Sequence, residues 1–110
     1  MKKIEPKMVC ATTGYTPSDT LSKDYSLDMG FGSVELFING DRILEYIYSW
    51  INEDSEEPMK LYELEDKFKD EINQGEEVLL KLNRPLWDLT YQYDKDNDEW
   101  CLIAQGEGFA

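Results

Sequence analysis

Histidine is absent from this chain and cations are scarce. Eleven lysines and arginines stand against 24 aspartates and glutamates in 110 residues, a formal net charge of -13. The lack of histidine removes the commonest general base and the commonest metal ligand together. There are two cysteines, Cys10 and Cys101. Two thiols cannot build a Cys₄ zinc site, and their separation matches no C-x-x-C pattern. Both lie in apolar, strand-like runs, which predicts reduced core thiols; a disulfide would require their strands to pair. No apolar stretch approaches the roughly 20 residues of a membrane helix. The basic start Met1-Lys2-Lys3 is followed only by Met8-Val9-Cys10-Ala11, too short for the apolar region of a signal peptide. The expectation is a cytoplasmic protein. An acidic surface repels nucleic acid and anionic lipid at short range, so neither is expected as a direct partner.

What is present is enough to fold. Apolar residues make up 41% and aromatics 13%, which separates the chain from disordered acidic tails. A single domain of this length buries a core without staples. Residues 7–12 predict a first strand, and residues 13–32 an ordered loop anchored by Tyr15, Leu21, Tyr25, Leu27 and Phe31. Residues 33–38 predict a second strand, stopped by Asn39-Gly40. Two signals compete beyond that point. Asn-Gly between apolar runs marks a hairpin, whereas Ile43, Leu44, Ile47, Trp50 and Ile51 recur at helical spacing behind Asp41 as N-cap. The spacing predicts a helix over 41–52. Residues 53–58 form a charged linker. A second helix is predicted over 59–74, with Leu61, Leu64, Phe68 and Ile72 as its apolar stripe and Gly75 as its stop.

Three further strands follow, over 76–83, 86–93 and 99–105. Trp87, Leu89, Tyr91 and Tyr93 fall on one face of the middle strand, and Trp100, Leu102 and Ala104 on one face of the last. The predicted architecture is α+β, a single small domain. Two helices pack on an antiparallel sheet of about five strands that ends in a three-strand meander.

The acidity is concentrated. Residues 53–77 hold eleven acids against Lys60, Lys67 and Lys69, and Asp94, Asp96, Asp98 and Glu99 surround Lys95 alone. On the second helix Glu63, Asp66 and Asp70 lie opposite the apolar stripe, about 4.5 to 6 Å apart along the axis. Glu63–Lys67 and Glu65–Lys69 are ordinary i,i+4 pairs, but Asp66 and Asp70 repel at the same spacing. One helix cannot imitate a duplex carrying a charge every 1.7 Å or so. The linker, the helix and the 94–99 turn would have to share a surface. Tyr48 and Tyr62 are the aromatics expected to be exposed beside it, with Trp50, Trp87 and Trp100 serving the core.

Catalytic and metal chemistry finds little footing. Asp94-Lys95-Asp96-Asn97-Asp98 opens like a calcium loop, but Glu99 occupies the position that needs glycine and Gln105 the position that needs a bidentate glutamate, so a hairpin turn is predicted. Gly30-Phe31-Gly32 precedes a strand rather than a helix and makes no phosphate cradle. No catalytic residue, metal or cofactor is expected, and the chain is read as a non-enzyme. The expected role is an acidic inhibitor that occupies the basic, nucleic-acid-binding surface of a nuclease or other protein. A phage or mobile-element anti-defence protein, such as an anti-CRISPR or anti-restriction DNA mimic, fits that role, as does an immunity protein for a nuclease toxin. The expected contact residues are Glu53, Asp54, Glu56, Glu57, Tyr62, Glu63, Asp66, Asp70, Asp94, Asp96 and Asp98. The competing expectation is an acidic structural or housekeeping domain of a larger assembly, without mimicry.

Overall fold

The computed structural model describes residues 18–28, 32–48, 58–85 and 87–106. The predicted first strand at 7–12, Cys10, Trp50 and the linker at 53–57 lie outside them. Among the described residues, six strands and two short helices follow in chain order: β1 (Thr20–Leu21), β2 (Gly32–Ile38), β3 (Asp41–Tyr48), α1 (Leu61–Lys67), α2 (Lys69–Gln74), β4 (Val78–Arg84), β5 (Trp87–Asp94) and β6 (Glu99–Gly106). The strands form one antiparallel sheet in the order β1-β6-β5-β4-β2-β3. The fold is α+β, and β4, β5 and β6 form the expected meander. No helix among the described residues is long and apolar enough to cross a membrane.

The helix expected over 41–52 is, through Tyr48, strand β3. Asn39 and Gly40 both take positive φ, 51° and 87°, the signature of a type I′ turn whose twist matches the flanking strands. That turn ties β2 to β3 with Ile38 opposite Asp41. A register shift between Leu36 and Phe37 leaves Ile43 as a bulged residue, since Leu36 faces Leu44 and Phe37 faces Arg42. From Ile43 to Tyr48 the strand alternates cleanly, and the helical spacing arises because the apolar Ile43 and Ile47 stand on its exposed face. Ile43 and Ile47 are exposed, at 38% and 61%, while Leu44, Tyr46 and Tyr48 pack toward the core. Tyr48, expected to face solvent, is buried and donates its hydroxyl to the carbonyl of Pro58.

The two helices therefore both come from the one segment expected over 59–74. Phe68, at φ -116° and ψ 30°, interrupts it. The apolar stripe still works: Leu61, Leu64 and Ile72 are buried, and Phe68 is half-buried against the same cluster. They join Val34, Leu36, Leu80, Leu82, Tyr91, Trp100 and Leu102 in one core. Gly75 ends α2 by close approach rather than by a left-handed cap, since its φ is -72°. A Cβ there would lie 2.7 Å from Ile38 Cγ2.

Within the meander, Trp87, Leu89 and Tyr91 are buried and Tyr93 packs beside them, as the alternation of β5 predicts. On β6 the reading fails at one residue. A register shift between Thr90 and Tyr91 makes Ile103 the extra residue. Ala104 then pairs with Thr90, on the face opposite Trp100 and Leu102. Cys101 pairs with Gln92 on that opposite face and is a buried free thiol. The region expected as a loop over 13–32 contains β1, which pairs Thr20 with Cys101 and Leu21 with Trp100.

Candidate functional site: an acidic groove between α1 and the β5–β6 turn

Two lysines tie together segments far apart in sequence. Lys23 Nζ donates to Glu65 of α1 at 2.6 Å and to Asp98 of the β5–β6 turn at 2.9 Å, and lies 5.4 Å from the centre of the Tyr93 ring. Burial alone would lower the pKa of this lysine, but its bonds to Glu65 and Asp98 outweigh that and hold it above its ordinary value. Lys95, the cation inside the Asp-rich run, donates to the carbonyls of Asn73, at 2.8 Å, and Gly75. It therefore satisfies carbonyls at the end of α2 and fixes the turn against the helices.

The result is a groove of about 390 Å³ whose walls include Lys23, Tyr62, Glu65, Asp66, Tyr93 and Asp98. Tyr62 and Asp66 also form one wall of a neighbouring depression of about 700 Å³ with Pro58, Glu63 and Lys67. Tyr93 borders a third, of about 790 Å³, with Glu76, Asp94 and Asp96. Tyr62 and Asp66 make the first two continuous, and Tyr62, Glu63, Asp66 and Asp98 lie along them. The third, lined also by Gln92 and Cys101 of the other sheet face, holds Asp94 and Asp96 apart from that groove. Asp70, on α2, is exposed but lines none of the three. Glu53, Asp54, Glu56 and Glu57 lie outside the described residues.

These acids are not equivalent. Asp94 accepts the backbone N–H of Asp96 at 3.1 Å and the amide of Asn97 at 2.8 Å, so its carboxylate shapes the turn. Asp98 takes positive φ, 51°. The Tyr93 hydroxyl and then Lys23 hold its carboxyl below the usual range. Tyr93 is correspondingly pushed up by burial, by its bond to Asp98 and by nearby carboxylates. Glu63, Asp66 and Asp70 are different: they are exposed, and none is in an ion pair among the described residues. The expected i,i+4 pairs do not form there. Glu65 binds Lys23 instead, and Lys67 Nζ sits 5.6 Å from the Tyr46 ring centre. Tyr62 is exposed, as expected, at 53%.

The opposite face of the sheet handles its charge in another way. Arg42 bridges Glu35 at 2.9 Å and Glu45 at 3.5 Å, and Asn83 donates to Glu35 at 2.6 Å. Burial would raise the pKa of Glu35, but these bonds outweigh it and the carboxyl stays below its usual range. Asp94, Glu99 and Cys101 bring possible metal-ligand atoms within 4.8 Å of one another. The Cys101 thiol donates to Glu99 at 3.7 Å, and Asp94 is engaged by Asp96 and Asn97 of the turn.

Lys23, Glu65, Tyr93 and Lys95 were missed as site residues. Lys95 carried a visible signal, as the lone cation in an acidic turn. Lys23 carried none, since its partners lie 42 and 75 residues away. No protein-family model matches the chain, and neither does any curated protein or solved structure.

Proposed function

We propose that this protein is an acidic inhibitor that binds the basic, nucleic-acid-handling surface of another protein and excludes DNA or RNA by competition. The observation that supports this reading is the convergence of the exposed acids of α1 with Asp98 of the β5–β6 turn along one groove. Electrostatic complementarity would give fast, salt-sensitive association, and Tyr62 offers an apolar anchor within the charged surface. An anti-defence protein of a phage or mobile element and a nuclease-toxin immunity protein use the same chemistry, and the choice between them belongs to the identity of the target. The runner-up, an acidic structural or housekeeping domain, draws on Glu65, Asp94 and Asp98, which bond within the molecule.

The test is affinity capture from lysates of the source cell and its natural host, followed by elution with salt and with added DNA. Release of a basic nuclease or DNA-binding protein by both is expected. Glu63→Lys combined with Asp66→Lys and Asp70→Lys should abolish that capture with folding intact. Undiminished capture by the triple variant would remove α1 and α2 from the site.

A further inference from the structure

We infer that Asn39 is a site of spontaneous covalent modification, deamidation through a cyclic imide, and that the fold holds this reaction off until the β2–β3 hairpin opens. The two reacting groups are neighbours in the chain, and both residues are exposed. Gly40 has no side chain to hinder attack, and nothing lies within 4 Å of where its Cβ would be. Its backbone N–H donates to no acceptor among the described residues. In the reaction the Gly40 nitrogen loses its proton to hydroxide and attacks Cγ of Asn39. A bond forms between that nitrogen and Cγ, the Cγ–Nδ2 bond breaks, and Nδ2 leaves as ammonia with a proton taken from water. Water then opens the imide. Cleavage at Cγ gives aspartate. Cleavage at the main-chain carbonyl gives isoaspartate, whose backbone runs through Cβ and Cγ and is longer by one carbon.

The native turn blocks the first step. Closing the five-membered ring requires Asn39 Cβ and the Gly40 nitrogen on the same side of the Cα–C bond. The first central residue of a type I′ turn has ψ of about +30°, which sets those two atoms nearly opposite each other. The side chain is pinned as well. Its Oδ1 accepts the backbone N–H groups of Glu76 at 2.9 Å and Glu77 at 3.0 Å, and the Asn39 N–H donates to the Glu77 carbonyl at 2.8 Å. These three bonds tie the hairpin tip to the chain entering β4, so ring closure requires the tip to come away. Asn73, Asn83 and Asn97 lack the open neighbour, since Gln74, Arg84 and Asp98 follow them.

The two products differ in what the turn accepts. Aspartate tolerates positive φ and still accepts both N–H groups. Isoaspartate adds a backbone atom to the two-residue turn that sets Ile38 opposite Asp41. Loosening there reaches α1, because β3 carries Tyr46 beneath Lys67 and Tyr48 bonded to Pro58.

The test incubates the whole protein at mildly alkaline pH, folded in buffer and unfolded in guanidinium chloride, and maps amide-to-carboxyl conversion by peptide mass spectrometry. In the unfolded chain Asn39 should convert faster than Asn73, Asn83 and Asn97. In the folded protein conversion at Asn39 should be at least about tenfold slower. No preference for Asn39 in the unfolded chain overturns the site, and equal rates folded and unfolded overturn the gating. The products are then separated and returned to buffer. The aspartate form, matched by Asn39→Asp, should keep a urea midpoint close to that of the native protein, and the isoaspartate form should show a lowered one. A native midpoint for the isoaspartate form would overturn the role given to the turn.

Discussion

Replacing Lys23 by methionine removes the cation that joins α1 to the β5–β6 turn while keeping the packing of its aliphatic stem. The two ion pairs it makes are unequal. The Glu65 side chain is 18% exposed and that of Asp98 70% exposed. Water therefore screens the Asp98 pair almost fully, and its loss costs little. Glu65 is the expensive partner, because its carboxylate is left half out of water without a cation. Together with the contact to the Tyr93 ring, the expected loss is about 1–2 kcal/mol, most of it from Glu65. With a urea m-value near 1–1.5 kcal/mol/M for a domain of this size, the midpoint should fall by about 1 M with m unchanged. Asp98→Asn should move it by less than about 0.5 M in the same assay. The shift for Lys23→Met should also shrink at high salt. An unchanged midpoint at low salt, or a larger effect for Asp98→Asn than for Lys23→Met, would refute the assignment of Lys23 as the clip between the two acidic clusters.

Gly32 takes φ +143° and a Cβ there would lie 2.0 Å from the Asn83 carbonyl oxygen. Gly32→Ala should destabilise by about 3–4 kcal/mol, whereas Gly40→Ala, strained in φ but open in space, should lose about 1 kcal/mol; urea unfolding of the two side by side checks the order. Tyr48→Phe removes the hydroxyl bonded to Pro58 and should lower stability by about 1–2 kcal/mol, while an exposed helical Tyr48 would make the change silent in thermal unfolding. For pH, Asp98 is more acidic folded than unfolded, with the Tyr93 hydroxyl as the first cause. Between its folded and ordinary pKa the unfolded chain holds more protons, so its stabilisation is fully present above the ordinary carboxylate range and is lost as pH falls through the folded value. Tyr93→Phe should therefore flatten the acid limb of the stability–pH curve; an unaltered limb in acid titrations of the variant would rule out that bond.

How much of this was legible in the sequence depended on whether the signal was local. The strands from β4 to β6 are plain because Val78, Leu80 and Leu82, then Trp87, Leu89 and Tyr91, alternate without interruption and are buried accordingly. The α1–α2 segment is plain because four apolar residues fall on one stripe. The two local failures have different causes. Apolar Ile43 and Ile47 on the exposed face gave β3 the look of a helix, and the extra residue at Ile103 turned Ala104 to the other face. The Asn39-Gly40 turn was the truer signal, since it specifies two positive φ values that only a few residues accept cheaply. Of the site, Tyr62, Glu63 and Asp66 were legible from helical spacing. Their proximity to Asp98 was not, because it depends on Lys23 and Lys95, whose partners are remote in sequence.

The use of those two lysines bears on why the surface is so acidic. A chain with a net charge of -13 works against its own compactness, and each cation gains most where two carboxylates would otherwise crowd. On the outer sheet face Arg42 does this between Glu35 and Glu45, which stand directly opposite each other on β2 and β3. On the groove side Lys23 does it between Glu65 and Asp98, while Lys95 turns away to the carbonyls that end α2. Cations thus neutralise the acids that hold elements together and leave Glu63, Asp66 and Asp70 without ion pairs among the described residues. If charge served only solubility, the local i,i+4 lysines would be free to pair with their own helix neighbours. Instead Lys67 stacks on Tyr46 and Glu65 pairs with Lys23, so repulsion remains concentrated on the exposed face of the helices. A cationic partner docking there would relieve that repulsion, and the relief would add to its affinity beyond the contacts it makes.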